Sequence, residues 1–150
     1  MTMPTRTRLI FAAAILLLAA VIGGVALTQR GTGSGSGEAL VGGPFRLTNH
    51  LGQTVTEADF RGKYMLVFFG FTFCPDICPT ELQVMTHALE TMGASGARIT
   101  PVFVTIDPER DTPDVMKAYV ENFGPNLVGL TGTPEEIAAV AKAYRVYYKK

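Results

Sequence analysis

The sequence is poor in the residues that most often announce a chemistry. Its 150 residues include two cysteines, two histidines and no tryptophan. Two cysteines with no histidine nearby in sequence fall short of the four ligands of a structural zinc site. An excess of charge of one sign is also missing, with 13 basic and 13 acidic residues and a formal net charge of zero. There is no basic stripe of the kind that nucleic-acid binding needs, so no nucleic acid is expected as a partner. No charge run and no internal repeat interrupts the chain. With 47% apolar and 17% charged residues, the composition is that of an ordinary globular protein, and the length fits one domain.

The charge that is present lies unevenly. Arg6, Arg8 and Arg30 cluster near the N-terminus, and from Glu38 onward ten basic residues face all thirteen acidic ones, a net charge of −3. Between those arginines runs LIFAAAILLLAAVIGGVALT, Leu9 to Thr28, without a charge. About 20 apolar residues in a helix span a hydrocarbon core of roughly 30 Å. The arginines before it place residues 1–8 in the cytoplasm. The rival is a cleaved secretory signal, whose apolar core is only about 7–15 residues. The length favours an uncleaved transmembrane anchor over 9–28, and both readings put the body outside the cytoplasm, where thiols tend to oxidise. The expected location is the inner (cytoplasmic) membrane, single-pass, with the C-terminal domain periplasmic. Residues 29–40 are rich in Gly and Ser and read as a flexible tether.

Residues 41–150 alternate strand-like and helix-like patterns. PFRLTNHLGQTVT reads as a hairpin with Phe45, Leu47 and Val55 as apolar positions and a turn at Asn49 to Gly52. His50 in that turn reads as solvent-exposed and not a ligand. KYMLVFFGF, Lys63 to Phe71, is an apolar run that suits a strand buried on both faces. In PTELQVMTHALETM, residues Leu82, Met85, Leu89 and Met92 form one helical face, Gly93 and Gly96 end the helix, and His87 points away to solvent. A second strand is expected over Arg98 to Asp107. A helix capped by Thr112 follows, with Pro113 at its first position and Met116, Tyr119, Val120 and Phe123 facing the core. A short strand, Leu127 to Thr131, leads to a last helix opened by Thr133 with Glu136 three residues on, a capping box. Strands alternating with helices predict an α/β fold with a parallel element in the sheet.

Both cysteines fall where the first long strand ends and a helix begins, in FGFTFCPDICPT. Sites in open α/β sheets form at the carboxyl ends of strands. If the next strand is parallel and adjacent, Asp107 reaches the same edge as Cys74 and Cys78. Pro79 suits the first helical position, which makes Cys78 the expected N-cap, with a thiolate favoured by the helix N-terminus. The Cys-x-x-x-Cys spacing can close a disulfide or face two sulfurs to one metal. A structural disulfide across so short a ring would constrain the unfolded chain little. Two soft thiolates in a loop suit copper, above all Cu(I). Pro75 and Pro79 restrict the loop, and Asp76 adds negative charge that favours a cation or merely solvates the loop.

GFTFCPDICPTEL together with VTIDPERDTPD resembles the Sco/SenC family of membrane-anchored, thioredoxin-like copper proteins, from about Gly43 to the last residue. The resemblance implies a thioredoxin-like fold. It also implies a copper ion as cargo, held by Cys74 and Cys78 in the family's ligand positions, with Asp107 matching an acidic residue near the metal. The implied activity is copper delivery to the binuclear site of the copper-binding subunit of cytochrome c oxidase, a metallochaperone's task and not an enzyme's. The alternative is a thiol–disulfide oxidoreductase using Cys74 and Cys78 as a redox pair. A peroxidase is a third reading, because peroxiredoxins also place a cysteine between strand and helix. The family's third ligand is a histidine in an Asp-His-Ser segment, and the sequence reaches AYRVYYKK without one; His50 and His87 do not match it. The expectation is therefore an incomplete C-terminal core, with the apolar faces around Ile137, Val140 and Tyr144, or one sheet edge, left open.

Overall fold

The computed structural model describes residues 41–149. The anchor at Leu9–Thr28 and its tether lie outside the described residues. Among the described residues no helix is long and apolar enough to cross a membrane.

A five-stranded mixed sheet organises the body, with helices packed on both faces. Strands β1 (Arg46–Asn49) and β2 (Thr54–Thr56) make the expected hairpin. β3 (Tyr64–Gly70) leads into α1 (Ile77–Thr91), which returns to β4 (Ile99–Thr105). From β4 the chain crosses through α2 (Pro113–Val120) to β5 (Val128–Thr131), and α3 (Pro134–Ala143) follows. The sheet order is β2-β1-β5-β4-β3, with β3, β4 and β5 parallel and the β1–β2 and β1–β5 pairs antiparallel.

β4 lies between β3 and β5, and its side chains build both layers of the core. Consecutive strand residues point to opposite faces. Val102 and Val104 therefore join Leu47, Leu130, Ile137 and Val140 on one face, whereas Phe103 joins Leu82, Met116, Val120, Phe123 and Leu127 on the other. The second cluster recruits the stripe predicted for α2, including Tyr119, and the Leu82 side of α1. Burying each such side chain contributes about 1.5–3 kcal/mol. Gly129 lets α2 press onto β5, since a Cβ there would lie 2.9 Å from Val120 and 3.0 Å from Met116.

The helix ends follow their local chemistry. Thr112 Oγ1 accepts the Val115 N–H at the start of α2. Thr133 and Glu136 make the capping box of α3 in both directions, at 3.2 and 2.8 Å. Gly93, just past α1, has φ +55°, a left-handed backbone that suits glycine.

Three expectations need correction. β3 is not buried on both faces: Tyr64 is 68% exposed and Leu66 39%. It is the edge strand, paired among the described residues with β4 alone, so its apolar run overstates its burial. His50 is not a solvated turn residue. It is half-buried, and its Nδ1 accepts the Gly129 N–H at 3.1 Å, tying the hairpin to β5. Of the two openings expected, the faces around Ile137 and Val140 are closed, because α3 packs both residues against Leu47 and Leu130, and Tyr144 lies half-buried with its ring 5.6 Å from Phe69; the other, one open sheet edge, is found among the described residues at β3.

Candidate metal centre

The cysteine loop begins where β3 meets its neighbour. Gly70 and Thr105 are register partners, and the Ile106 N–H donates to the Gly70 carbonyl at 2.8 Å. The two strands are parallel and adjacent, so residues 71–78 and 106–112 emerge at the same sheet edge, as the order of elements predicted. Gly70 is required there. A Cβ would sit 2.9 Å from Phe103 Cε2 and 3.0 Å from Cys78 Sγ, so only glycine leaves Cys78 its buried place.

Helix α1 starts two residues earlier than Pro79 suggested. Asp76 is the N-cap, although its side chain makes no capping hydrogen bond, and Ile77 is the first helical residue. Cys78 is thus not the N-cap but the second residue of the helix. Pro79 is third, still within the first turn, where a missing N–H leaves no helical bond unmade. The shift reverses the roles of the two sulfurs. The Cys78 N–H, one of the free donors of the first turn, points to Cys74 Sγ at 3.4 Å. Cys74 is half-buried, and its thiol is held below the ordinary range. A hydrogen bond from the Cys78 side chain is the main cause, assisted by the backbone N–H groups of Cys78, Asp76 and Ile77 and opposed by partial burial. Cys78 is 4% exposed, and its thiol is pushed up to about 11, first by burial and then by its bond to Cys74. The Cys78 thiol, with help from the first-turn N–H groups, therefore favours a thiolate on Cys74, and burial leaves a protonated thiol on Cys78.

A buried carboxylate holds the loop. Asp111 Oδ2 accepts the Thr72 N–H at 3.0 Å and the Thr105 hydroxyl at 2.5 Å, and Oδ1 accepts the Thr72 hydroxyl at 2.5 Å. One side chain thereby joins the end of β4 to the residue two before Cys74. The Asp107 N–H donates to Thr105 Oγ1 at 2.9 Å, and the Asp111 N–H to the Asp107 carbonyl at 3.0 Å. The Asp107 carboxylate pairs with Arg110, whose guanidinium lies 4.9 Å from the centre of the exposed Phe73 ring. The sequence reading placed Asp107 at this edge and assigned Asp111 nothing. The available signal was Thr105, a polar residue closing an apolar strand and in need of a buried partner.

Neither histidine joins the cysteines. His50 is engaged in the hairpin, and the His87 side chain is 82% exposed, 3.9 Å from Glu90. Nine residues along α1 also separate His87 from Cys78 by about 13 Å. Among the described residues no three or more His, Cys, Asp or Glu side chains gather as a metal cluster. What the site offers is two adjoining sulfurs, one primed as thiolate, beside the positive end of a helix. That donor set fits a soft monovalent cation, and the same pair can oxidise to a disulfide.

The SCO1/SenC family model matches residues 33–150. The mouse mitochondrial SCO1 homolog is 54% identical over 114 residues, which cover 75% of this chain and 40% of that protein. The fold is similar to that of Bradyrhizobium japonicum ScoI with copper bound, with TM-score 0.70 and 49% identity over 73% of this chain and 70% of that one. It is also similar to BsSco, described as a member of the Sco family of cytochrome c oxidase assembly proteins with a disulfide switch, with TM-score 0.62 and 25% identity over 75% and 69% of the two chains. The chain spans roughly half or less of the length of the curated relatives it matches, from 36% to 57%.

Proposed function

The chain belongs to the SCO1/SenC family, and from that premise we propose that it is a copper chaperone for cytochrome c oxidase assembly, carrying copper on Cys74 and Cys78. The observation that carries this reading is the sulfur pair at the start of α1, with the Cys78 N–H on Cys74 Sγ. Cys74, readier to lose its proton, is the first ligand. Cys78 gives up its proton as the second Cu–S bond forms, and that proton leaves to solvent. Two thiolates and Cu(I) carry a net charge of −1, which the helix N-terminus favours. Delivery to the copper-binding subunit of the oxidase is then ligand exchange from these sulfurs to the recipient's donors. In this reading Leu9–Thr28 anchors the body on the periplasmic face, and the Gly/Ser tether gives it reach. Copper counted per chain should be one in the wild type and strongly reduced in both Cys74→Ser and Cys78→Ser. Undiminished copper in both variants refutes the assignment.

One observation favours a second activity at the same pair. A lowered thiol on half-buried Cys74 and a raised one on buried Cys78 is the layout of an attacking and a resolving cysteine. Cys74 thiolate would attack a partner disulfide and expel one partner thiolate. Cys78, once deprotonated, would then attack the Cys74 sulfur and release the second, leaving this pair oxidised and the partner reduced by two electrons. Cys78→Ser should trap the mixed disulfide; its absence with every disulfide substrate argues for copper delivery alone.

A further inference from the structure

Two large apolar side chains flank the Cys74 sulfur in the chain and face solvent. Phe73, immediately before Cys74, is 60% exposed, and Ile77, the first residue of α1, is 67% exposed. Single exposed apolar residues are normal on a surface. This pair is set apart by the way Phe73 is held. The Arg110 guanidinium lies 4.9 Å from the centre of its ring, and the Asp107 carboxylate fixes that guanidinium in turn. The ring is thus ordered before anything binds to it, and a preorganised anchor loses little entropy on contact. Phe73 also forms one wall of an open groove of about 300 Å³, lined on α2 by Val115, Ala118 and Tyr119. The apolar surface continues along α1, where Val84, seven residues after Ile77 and so on the same helical face, is 60% exposed.

The charge around this surface has one sign. Residues 71–81 carry Asp76 and Glu81 and no basic residue, and residues 106–117 carry four acidic residues against two basic ones, so the two segments together hold a net charge of −4. The body from Glu38 onward totals −3, which leaves +1 for everything else in it. The negative excess is therefore concentrated at the sheet edge that bears the sulfurs. Asp76, Glu81 and Asp114 are exposed there. Glu81 falls between Ile77 and Val84 on their face of α1, and Asp114 stands one turn before Ala118 on α2. Apolar anchors inside an acidic rim fit a protein whose own rim is basic, because opposite rims speed encounter and exclude wrong partners.

We propose that the recipient protein docks on Phe73, Ile77 and Val84 and in the adjoining groove, offering an apolar side chain and a rim of Lys or Arg that faces Asp76, Glu81 and Asp114, so that its own sulfurs meet Cys74. The proposal rests on the reading that Cys74 and Cys78 act on a partner protein. The test is thiol exchange between the reduced, copper-free full chain and three disulfides. One is hydroxyethyl disulfide. The others are two peptides that enclose a leucine in a Cys-x-x-x-Cys ring and differ only in their flanking residues, Lys in one and Glu in the other. With each, the Cys74 thiolate attacks one sulfur of the probe and expels the other as thiolate. Cys78, once deprotonated, then attacks the Cys74 sulfur and releases the first, leaving the chain oxidised and the probe reduced by two electrons. Each peptide rate is divided by the hydroxyethyl disulfide rate of the same variant, which removes any change in the thiolate itself. At low salt the Lys peptide should react with wild type about tenfold faster than the Glu peptide, and the ratio should fall toward one in about 1 M salt. Combining Asp76→Asn, Glu81→Gln and Asp114→Asn should bring the low-salt ratio to within about twofold of one. Phe73→Ser should lower both normalised peptide rates about tenfold. Equal peptide rates in wild type, a preference for Glu, a preference that salt leaves untouched, or unchanged normalised rates in Phe73→Ser each overturn the proposal. Copper counted on the same chain separates the two readings. One copper with equal peptide rates overturns the docking surface alone, whereas a salt-sensitive Lys preference in a chain that takes up no copper supports the surface and refutes the copper assignment.

Discussion

Two loops leave the same edge of the sheet, and they are stabilised in opposite ways. Residues 106–112 support themselves: Thr112 caps α2, the Asp107 carboxylate pairs with Arg110, and the Asp107 and Asp111 N–H groups bond within the loop or to the end of β4. Residues 71–76 have little of this. The Asp76 side chain makes no capping bond, Phe73 is 60% exposed, and the main order comes from Asp111, which belongs to the other loop. The loop bearing the reactive sulfurs is thus held from outside. Its own residues are left for sulfur chemistry, and first-turn N–H groups that a capping side chain would have engaged remain for Cys74.

The strongest way to break this division is to remove the shared carboxylate. Asp111→Ala leaves the Thr72 N–H and the Thr105 hydroxyl without an acceptor in a buried place. The cost should be roughly 3 kcal/mol in chemical denaturation, with copper binding lost alongside. A variant of wild-type stability that still binds copper would show that the two loops are independent.

Gly70→Ala tests the seat of Cys78 instead of the tether. The added methyl meets Phe103, Cys78 and Phe68 within about 3 Å. Overpacking of this kind costs about 1–3 kcal/mol. Cys78 should also become more accessible, which quantitative alkylation followed by mass analysis would detect.

The asymmetry of the two sulfurs makes a sharper prediction. In the reduced, copper-free protein near neutral pH, iodoacetamide should modify Cys74 well before Cys78; equal rates would contradict the assignment of the thiolate. Stability follows with a definite sign. Cys78 holds its proton more tightly folded, at about 11, than unfolded, at about 8.5. Its contribution is therefore complete below about pH 8.5 and declines as the pH rises toward 11. Cys74, lowered in the folded state, acts in the opposite sense and contributes above its unfolded value. A comparison of wild type with Cys78→Ser from pH 8 to 11 should show that the variant loses less stability over that window.

The smallest effect is expected in the self-supporting loop. Thr112→Ala removes one N-cap among several supports and should cost about 1 kcal/mol, leaving the copper count unchanged. A loss of copper in this variant would mean that strain in one loop passes to the other.

Much of the fold is written in short stretches of sequence. The two capped helices, the glycine after α1, the hairpin and the alternation of strand with helix depend on residues only a few positions apart, so their patterns are readable in line. The place of the cysteines at a strand end is readable for the same reason, and the paired motifs around Cys74 and Asp107 carry the family. Asp111 was only half readable: Thr105, six residues away, signalled a buried partner, but Thr72, which it ties to the sheet, lies 39 residues away. His50 was misread for the same reason, its partner Gly129 being 79 residues distant. Local sequence determined that two thiols would meet a helix N-terminus. Only the tertiary structure decided which of them takes the proton: Phe103 and Gly70 bury Cys78, and the first turn of α1 turns its free N–H groups toward Cys74. Burial and hydrogen-bond supply depend on what packs from elsewhere in the chain, and no spacing within a loop encodes that.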